Sequence, residues 1–277
     1  MHKDHLLATP SKEDMRRLFS EASLDEDLFL IGGQALAFWM LHYGVYPESK
    51  DSSITRDVDF YTPHPSKRTV VEKLARSLGG TAFFPDRRAL TALVGQAIRR
   101  DGENRLVNVD VVFRVIGLSD AEIRRYAAQI DIADAGTVRV LDPVSVLKSR
   151  TENLHQLVDK QNQQGEAQLT WAIIVAQRHL QAARDQVDLF WDGLGRDPIL
   201  KMAARILSIA ESAAGKAVAK RHGLHAADAL DPGLIQNQAF LDRRLPQALE
   251  MMSEARRSQL AMAAELGSMD RPGMTAA

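Results

Sequence analysis

The sequence predicts an α/β plus α chain: a small mixed β-sheet with flanking helices over residues 1–160, then a helical domain over 161–277. Three observations predict it. Short runs rich in Val, Ile, Phe and Tyr alternate with stretches of helical period through the first half. Turn residues separate them, among them Gly32-Gly33, Gly79-Gly80 and Asp142-Pro143. After Gly165 the strand-like runs stop and the chain becomes rich in Ala, Leu, Met and charge, with no internal repeat.

In chain order, Ser11 with Asp14 three residues on reads as a helix N-cap, and the helix passes through Met15, Leu18 and Phe19. Leu28 to Ile31 is a short apolar strand that ends at Gly32-Gly33. Gln34 to Tyr43 is apolar almost all round, as in a helix buried between layers. Gly44 ends it, and Pro47 to Ser53 is a polar loop. Asp57 to Tyr61 is the second strand, broken by Pro63 and Pro65. Ser66 should cap a helix carrying Val70, Val71, Leu74 and Leu78, closed by Gly79-Gly80. Thr81 to Phe84 and Ala89 to Val94 read as a strand pair around Pro85-Asp86-Arg87, and Asp101-Gly102 as a hairpin-type turn. Arg105 to Val115 is a long strand. Its alternation puts Asn108 and Asp110 on one face and Val107, Val109, Val111 and Phe113 on the other. Ser119 caps a short helix to Ala128, and Ile130 to Ala133 and Val138 to Leu141 are short strands. Asp142-Pro143 opens a helix with Asp at the N-cap and Pro at the first position. Trp171 to Arg184 and most of Pro198 to Leu266 should be helical, and Asp270 to Ala277 a frayed end.

The chemistry concentrates between Leu28 and Tyr61. A strand feeding a glycine pair and then a helix start is a phosphate-cradle geometry: the missing Cβ lets a backbone come close, and the free N–H groups of the first turn point at an anion. In Asp57-Val58-Asp59 the carboxylates sit two apart, so on a strand both point the same way. Two like charges that close need a cation between them, and hard oxygen ligands suit Mg²⁺. The bland alternatives are a tight turn at the glycines, and a capping acid plus a salt-bridge partner at Asp57 and Asp59.

Gly32-Gly33, an intervening helix and Asp57-x-Asp59 resemble the signature of the nucleotidyltransferase superfamily related to DNA polymerase β. The wording IGGQALAFWMLHYG followed by TRDVDFYT is similar to the AbiEii-like branch of minimal nucleotidyltransferases. The resemblance runs from about Leu28 to Leu157 and implies a metal-dependent transfer of an NMP from an NTP to an acceptor hydroxyl. Many members of that branch are toxins of toxin–antitoxin or abortive-infection systems, so it also implies a toxin with a cognate antitoxin protein as a partner. Two-metal transfer needs a third acid that binds the catalytic metal, and Asp110 fits, mid-strand among valines where an unpaired charge is costly. Its bland alternative is an outward-facing residue of a half-exposed strand. The expected metal set is Asp57, Asp59 and Asp110, with Mg²⁺ or Mn²⁺ as cofactor, and Gly32 and Gly33 on the β- and γ-phosphates.

Around this core stand weaker candidates. Gln34 could reach a phosphate or merely cap its helix. Arg56 could pair with a phosphate or neutralise the acids. The segment VRVLDPVSVLKSR resembles the region after the catalytic domain in the AbiEii-like branch, where a helix lysine faces the site; that resemblance implies a nucleotide contact for Lys148, against a solvated lysine. Lys160 is not carried as a site residue, because QNQQGEAQ after it lacks the acid the pattern wants. His42, His155, His179, His222 and His225 form no metal-ligand spacing, and the arginine pairs from Arg99-Arg100 to Arg256-Arg257 are scattered.

Composition narrows the field. The absence of cysteine removes disulfides, thiolate metal sites and thiol nucleophiles. A net charge of −1 offers no global field for nucleic acid. No apolar run reaches membrane-span length and MHKDHLLATP lacks a signal-peptide core, so the expected setting is cytoplasmic with no membrane partner. The acceptor is left open among tRNA, a protein hydroxyl and a small molecule. The rival readings are an antibiotic-type nucleotidyltransferase and a catalytically degenerate binding protein on the same fold.

Overall fold

The computed structural model describes residues 7–47, 55–86, 88–101, 105–190 and 197–269. It divides into two compact units, Met1–Val175 and Ala176–Ala277. The division falls within one long helix, Gln163–Phe190, whereas the change in composition led to an expected boundary between 160 and 161. Most of the loop Pro47 to Ser53, Arg87 of the turn after Pro85, Gly102 of the turn at Asp101, and the tail Asp270 to Ala277 lie outside the described residues.

The first unit is a mixed α/β structure. Its strands are β1 (Phe29–Ile31), β2 (Val58–Tyr61), β3 (Thr81–Phe83), β4 (Leu93–Arg100), β5 (Leu106–Val112), β6 (Ala128–Ile132) and β7 (Gly136–Val140). They form one sheet in the order β3-β4-β5-β2-β1-β7-β6. β2 runs parallel to β5 and β1 parallel to β7, while β1 and β2 are antiparallel, so the centre is mixed and both margins are antiparallel. Its helices are α1 (Lys12–Ala22), α2 (Gly32–His42), α3 (Arg68–Leu78), α4 (Asp120–Tyr126), α5 (Pro143–Gln156) and the start of α6 (Gln163–Phe190).

The local signals explain these elements. Ser11 and Asp14 close a capping box on α1, and Ser119 and Glu122 close one on α4. Asp142 accepts from the Val144 N–H at 3.2 Å and opens α5, with Pro143 in the first turn. α2 buries Ala35, Leu36, Trp39 and Met40, and its Trp39 indole N–H donates to the Leu141 carbonyl at 2.8 Å, fixing the helix to the end of β7. α2 packs on β2 and on α5, and α3 packs on β3, β4 and α1. The core between them holds Leu18, Leu30, Leu36, Phe60, Leu74 and Leu147, all fully buried. Burial of such side chains contributes on the order of 1.5–3 kcal/mol each.

Three expectations need correction. Ser66 caps nothing: α3 starts at Arg68 behind Lys67, without a side-chain cap. The strand expected at Ala89 to Val94 begins at Leu93 and runs to Arg100, because pairing with β5 starts at Leu93 while Leu90 is fully exposed. β2 starts at Val58, so Asp57 stands just ahead of the strand. In the second unit most of Pro198 to Leu266 is helical, as expected: α7 (Pro198–Glu211), α8 (Ala213–His222), α9 (Gln238–Arg243), α10 (Leu245–Glu250) and α11 (Glu254–Met269) are helices, and residues 223–237 between α8 and α9 hold two 3₁₀ turns, Ala226–Ala229 and Pro232–Leu234. Gly223, in the left-handed conformation, ends α8, and Pro232 follows.

The second unit has its own buried set, including Ala203, Ile206, Leu207, Ala227, Leu230 and Met252. α7 packs against α8 and the first 3₁₀ turn. Asp228 of that turn accepts the Ser253 N–H at 2.8 Å and its hydroxyl at 2.7 Å, tying the turn to the start of α11. Among the described residues no helix is long and apolar enough to cross a membrane.

Candidate active site

The site is built where β1 turns into α2. Ile31 is extended and occupies the N-cap position without any side-chain cap, so the first-turn N–H groups of α2 have no side chain closing them off. Gly32 follows with φ +70°, a conformation that favours glycine, and a Cβ placed on it would fall inside the van der Waals shell of Asp59 Oδ2. A Cβ on Gly33 would run into the side chain of Thr55. The glycine pair is therefore what lets the acid strand approach the helix start. Gln34 is half-buried in the first turn.

Sheet register assembles the acids. Ile31 pairs with Asp59, and Asp59 pairs with Asp110 across the parallel β2–β5 ladder. Paired residues on neighbouring strands point to the same face. The alternate residues Val58, Phe60, Val109 and Val111 are fully buried, while Asp59 and Asp110 are half-buried. Asp57, just ahead of β2, is half-buried as well, and Arg56 before it is exposed. Asp110 Oδ1 accepts from Gln96 Nε2 at 2.8 Å and from Asn108 Nδ2 at 2.9 Å.

Charge marks Asp59 as the centre of the cluster. Burial, followed by the like charge of Asp110, pushes its carboxyl from the usual carboxylate range up to about 6; Arg150 pulls it down, Asp57 pushes it up, and Lys160 pulls it down. Arg150 was not among the residues singled out from sequence. It belongs to the buried stripe Leu147, Arg150, Thr151 and Leu154 of α5, at the spacing of one helix face. Its Nη1 donates to Gln168 Oε1 at 2.9 Å. Burial lowers its pKa and the charge of Asp59 opposes that shift. An arginine on an otherwise apolar helical stripe was the available signal for it.

The lysines are placed differently from expectation. Lys148 donates to Glu122 Oε1 of α4 at 2.6 Å rather than joining the acids. Burial raises the Glu122 carboxyl, but the bonds from Lys148 and Ser119 overrule it and hold the group below its usual range. Lys160, set aside on sequence, is close enough for its charge to act on Asp59.

The donor set suits a hard divalent cation: carboxylate oxygens only, from strand partners on one face, beside a cradle that a Cβ would fill. The side chains are not drawn into a cage, and among the described residues no three carboxylates or imidazoles are grouped so as to hold a metal ion.

Arg150→Met tests the electrostatic frame. It removes the bond to Gln168 and the buried cation that offsets Asp59, and should cost about 2 kcal/mol in urea unfolding. In an Asp59→Asn background the cost should shrink, because the charge to be offset is gone. An unchanged cost would show that Arg150 serves Gln168 alone. Compared with protein-family models and with curated proteins, the chain matches none.

Proposed function

We propose that the protein is a divalent-metal-dependent nucleotidyltransferase that moves an NMP from an NTP to an acceptor hydroxyl. One observation carries the reading: the uncapped start of α2 abuts, at Gly32, a carboxylate whose register partner on the next strand is a second carboxylate. An anion site and an acidic site side by side suit a triphosphate, whose negative oxygens need N–H donors on one side and cations on the other.

Asp57, Asp59 and Asp110 would hold Mg²⁺ or Mn²⁺. Bound there, the cations would lower the pKa of the acceptor hydroxyl and neutralise charge on the leaving pyrophosphate. The chain's own groups do the rest. N–H groups at Gly32, Gly33 and Gln34 bind the outer phosphates. Arg150 favours the ionised form of Asp59 from within the fold, against the burial and like charges that raise it. Lys148 can reach a triphosphate only by exchanging Glu122 for it, so in this reading it is a closing contact rather than a standing one. Arg56, exposed ahead of the acids, would meet solvent-side phosphate oxygens. The acceptor hydroxyl gives its proton up to solvent as its oxygen bonds to the α-phosphorus, the bond from that phosphorus to the bridging oxygen breaks, and pyrophosphate leaves.

The test presents α-phosphate-labelled NTPs with Mg²⁺ or Mn²⁺ to total RNA, total protein and small hydroxylic compounds in separate arms. Label should enter one class with release of pyrophosphate, and Asp110→Ala should abolish it. NTP binding without label in any arm would favour the binding-protein reading. Label confined to the small-molecule arm would favour the antibiotic-type enzyme. Growth arrest on expression, relieved in the same variant, would extend the reading to a toxin.

A further inference from the structure

We infer that Gln96 and Asn108 are positioning residues that hold Asp110 by one oxygen, Oδ1, and leave Oδ2 as its working atom. The inference rests on the nucleotidyltransferase reading of the site.

Two amides reach the same oxygen from different directions. Gln96 comes from β4, as the register partner of Asp110, and Asn108 comes from the same strand two residues earlier, on the same face. A carboxylate oxygen has two lone pairs, so two donors saturate it. Among the described residues no hydrogen bond reaches Oδ2. The carboxylate is thus fixed in orientation with one oxygen consumed and one presented.

Two further features point the same way. Asn108 is 8% exposed and its Oδ1 is buried without a hydrogen-bond partner. Its amide could turn over only by setting an oxygen against the carboxylate, so Asp110 dictates its orientation at the expense of its own acceptor. The strand pairing is also offset to deliver Gln96. Leu93 pairs with Val112 but Gly95 pairs with Val111, so two steps along β4 match one along β5. Continued without that shift, the ladder would set Gly95, with no side chain, opposite Asp110. The extra residue brings Gln96 there instead, the re-aiming of a side chain for which bulges are used beside active sites.

The test reads metal binding rather than turnover. Free Mn²⁺ is titrated by electron paramagnetic resonance against the full chain with a non-hydrolysable NTP analogue, for wild type, Gln96→Met, Asn108→Leu and Asp110→Asn. Thermal melts confirm that each variant is folded. Gln96→Met and Asn108→Leu should each weaken Mn²⁺ binding about 10-fold or more, the usual cost of losing an outer partner of a metal ligand. In an Asp110→Asn background Gln96→Met should add nothing, which a merely structural role would not produce. If Asn108→Leu fails to fold, Gln96→Met, at a half-buried position, decides alone. Wild-type Mn²⁺ affinity in the folded variants overturns the inference and leaves the reading of the site standing. No Mn²⁺ binding by wild type overturns that reading and the inference with it.

Discussion

Gly32→Ala should unfold at a clearly lower urea concentration than wild type, with a loss of about 3 kcal/mol. Two terms make up that figure. A residue with a Cβ at φ +70° carries strain of about 1–2 kcal/mol. The new methyl also collides with the Asp59 carboxylate, and moving a packed strand or its side chain costs about 1–3 kcal/mol. Gly79→Ala separates the terms. Gly79 has nearly the same backbone, φ +69°, at the end of α3, but nothing lies within 4 Å of the added carbon. It should lose only the strain, about 1 kcal/mol. Equal losses in the two variants would mean that α2 and β2 are not held together as tightly as the site requires. On the proposed function, Gly32→Ala should also abolish nucleotide binding, because relief of the clash moves Asp59 away from the first turn of α2.

Much of this architecture was legible from residue patterns, because patterns report what one element does by itself. Ser11 with Asp14, and Ser119 by itself, announce their helix starts, and the alternation from Val107 to Val111 announces which side chains share a face. What a single strand cannot report is its neighbour. The pairing of Asp59 with Asp110 is a long-range register between β2 and β5, and nothing local to either strand specifies it. Gln96 lies in Leu-Val-Gly-Gln-Ala-Ile-Arg-Arg, where glutamine carries no signature; only the offset between β4 and β5 gives it a partner. Arg150 and Lys148 show the same limit on a helix. Two residues apart, they point to different surroundings, one toward the buried stripe and the other toward Glu122. Exposure statistics alone favoured neither. The error over Ala89 to Val94 is of another kind: the run is largely apolar, but Ala and Leu carry little preference for a strand, a strand without a partner is not stable, and pairing begins only at Leu93.

On the proposed function, Asp59→Asn should lower transfer by about 10³-fold or more, for a group that places charge at the reacting phosphates, while making the metal-free protein more stable at neutral pH. The two effects share a cause. Burial, then the like charges of Asp110 and Asp57, push the Asp59 carboxyl up to about 6, against an unfolded value of about 3.9. Below about pH 4 the group is protonated in both states and costs nothing. Between about pH 4 and 6 the unfolded chain has released its proton while the folded chain still holds it, so the folded state binds more protons and stability falls as pH rises. Above about 6 the full cost remains, at most about 3 kcal/mol for a shift of about two pKa units. Asparagine does not titrate, so in a chelator-containing buffer the variant should match wild type near pH 4, gain on it through the window, and hold a constant lead above it. Added Mg²⁺ should then close the gap by stabilising wild type alone, since a cation among carboxylates that repel one another relieves the cost that raised the pKa. A variant less stable than wild type at both ends of the range would mean that Asp59 is already paired within the fold. A carboxylate satisfied in that way has no need of a metal, and the acidic face would then be a structural device rather than a catalytic one.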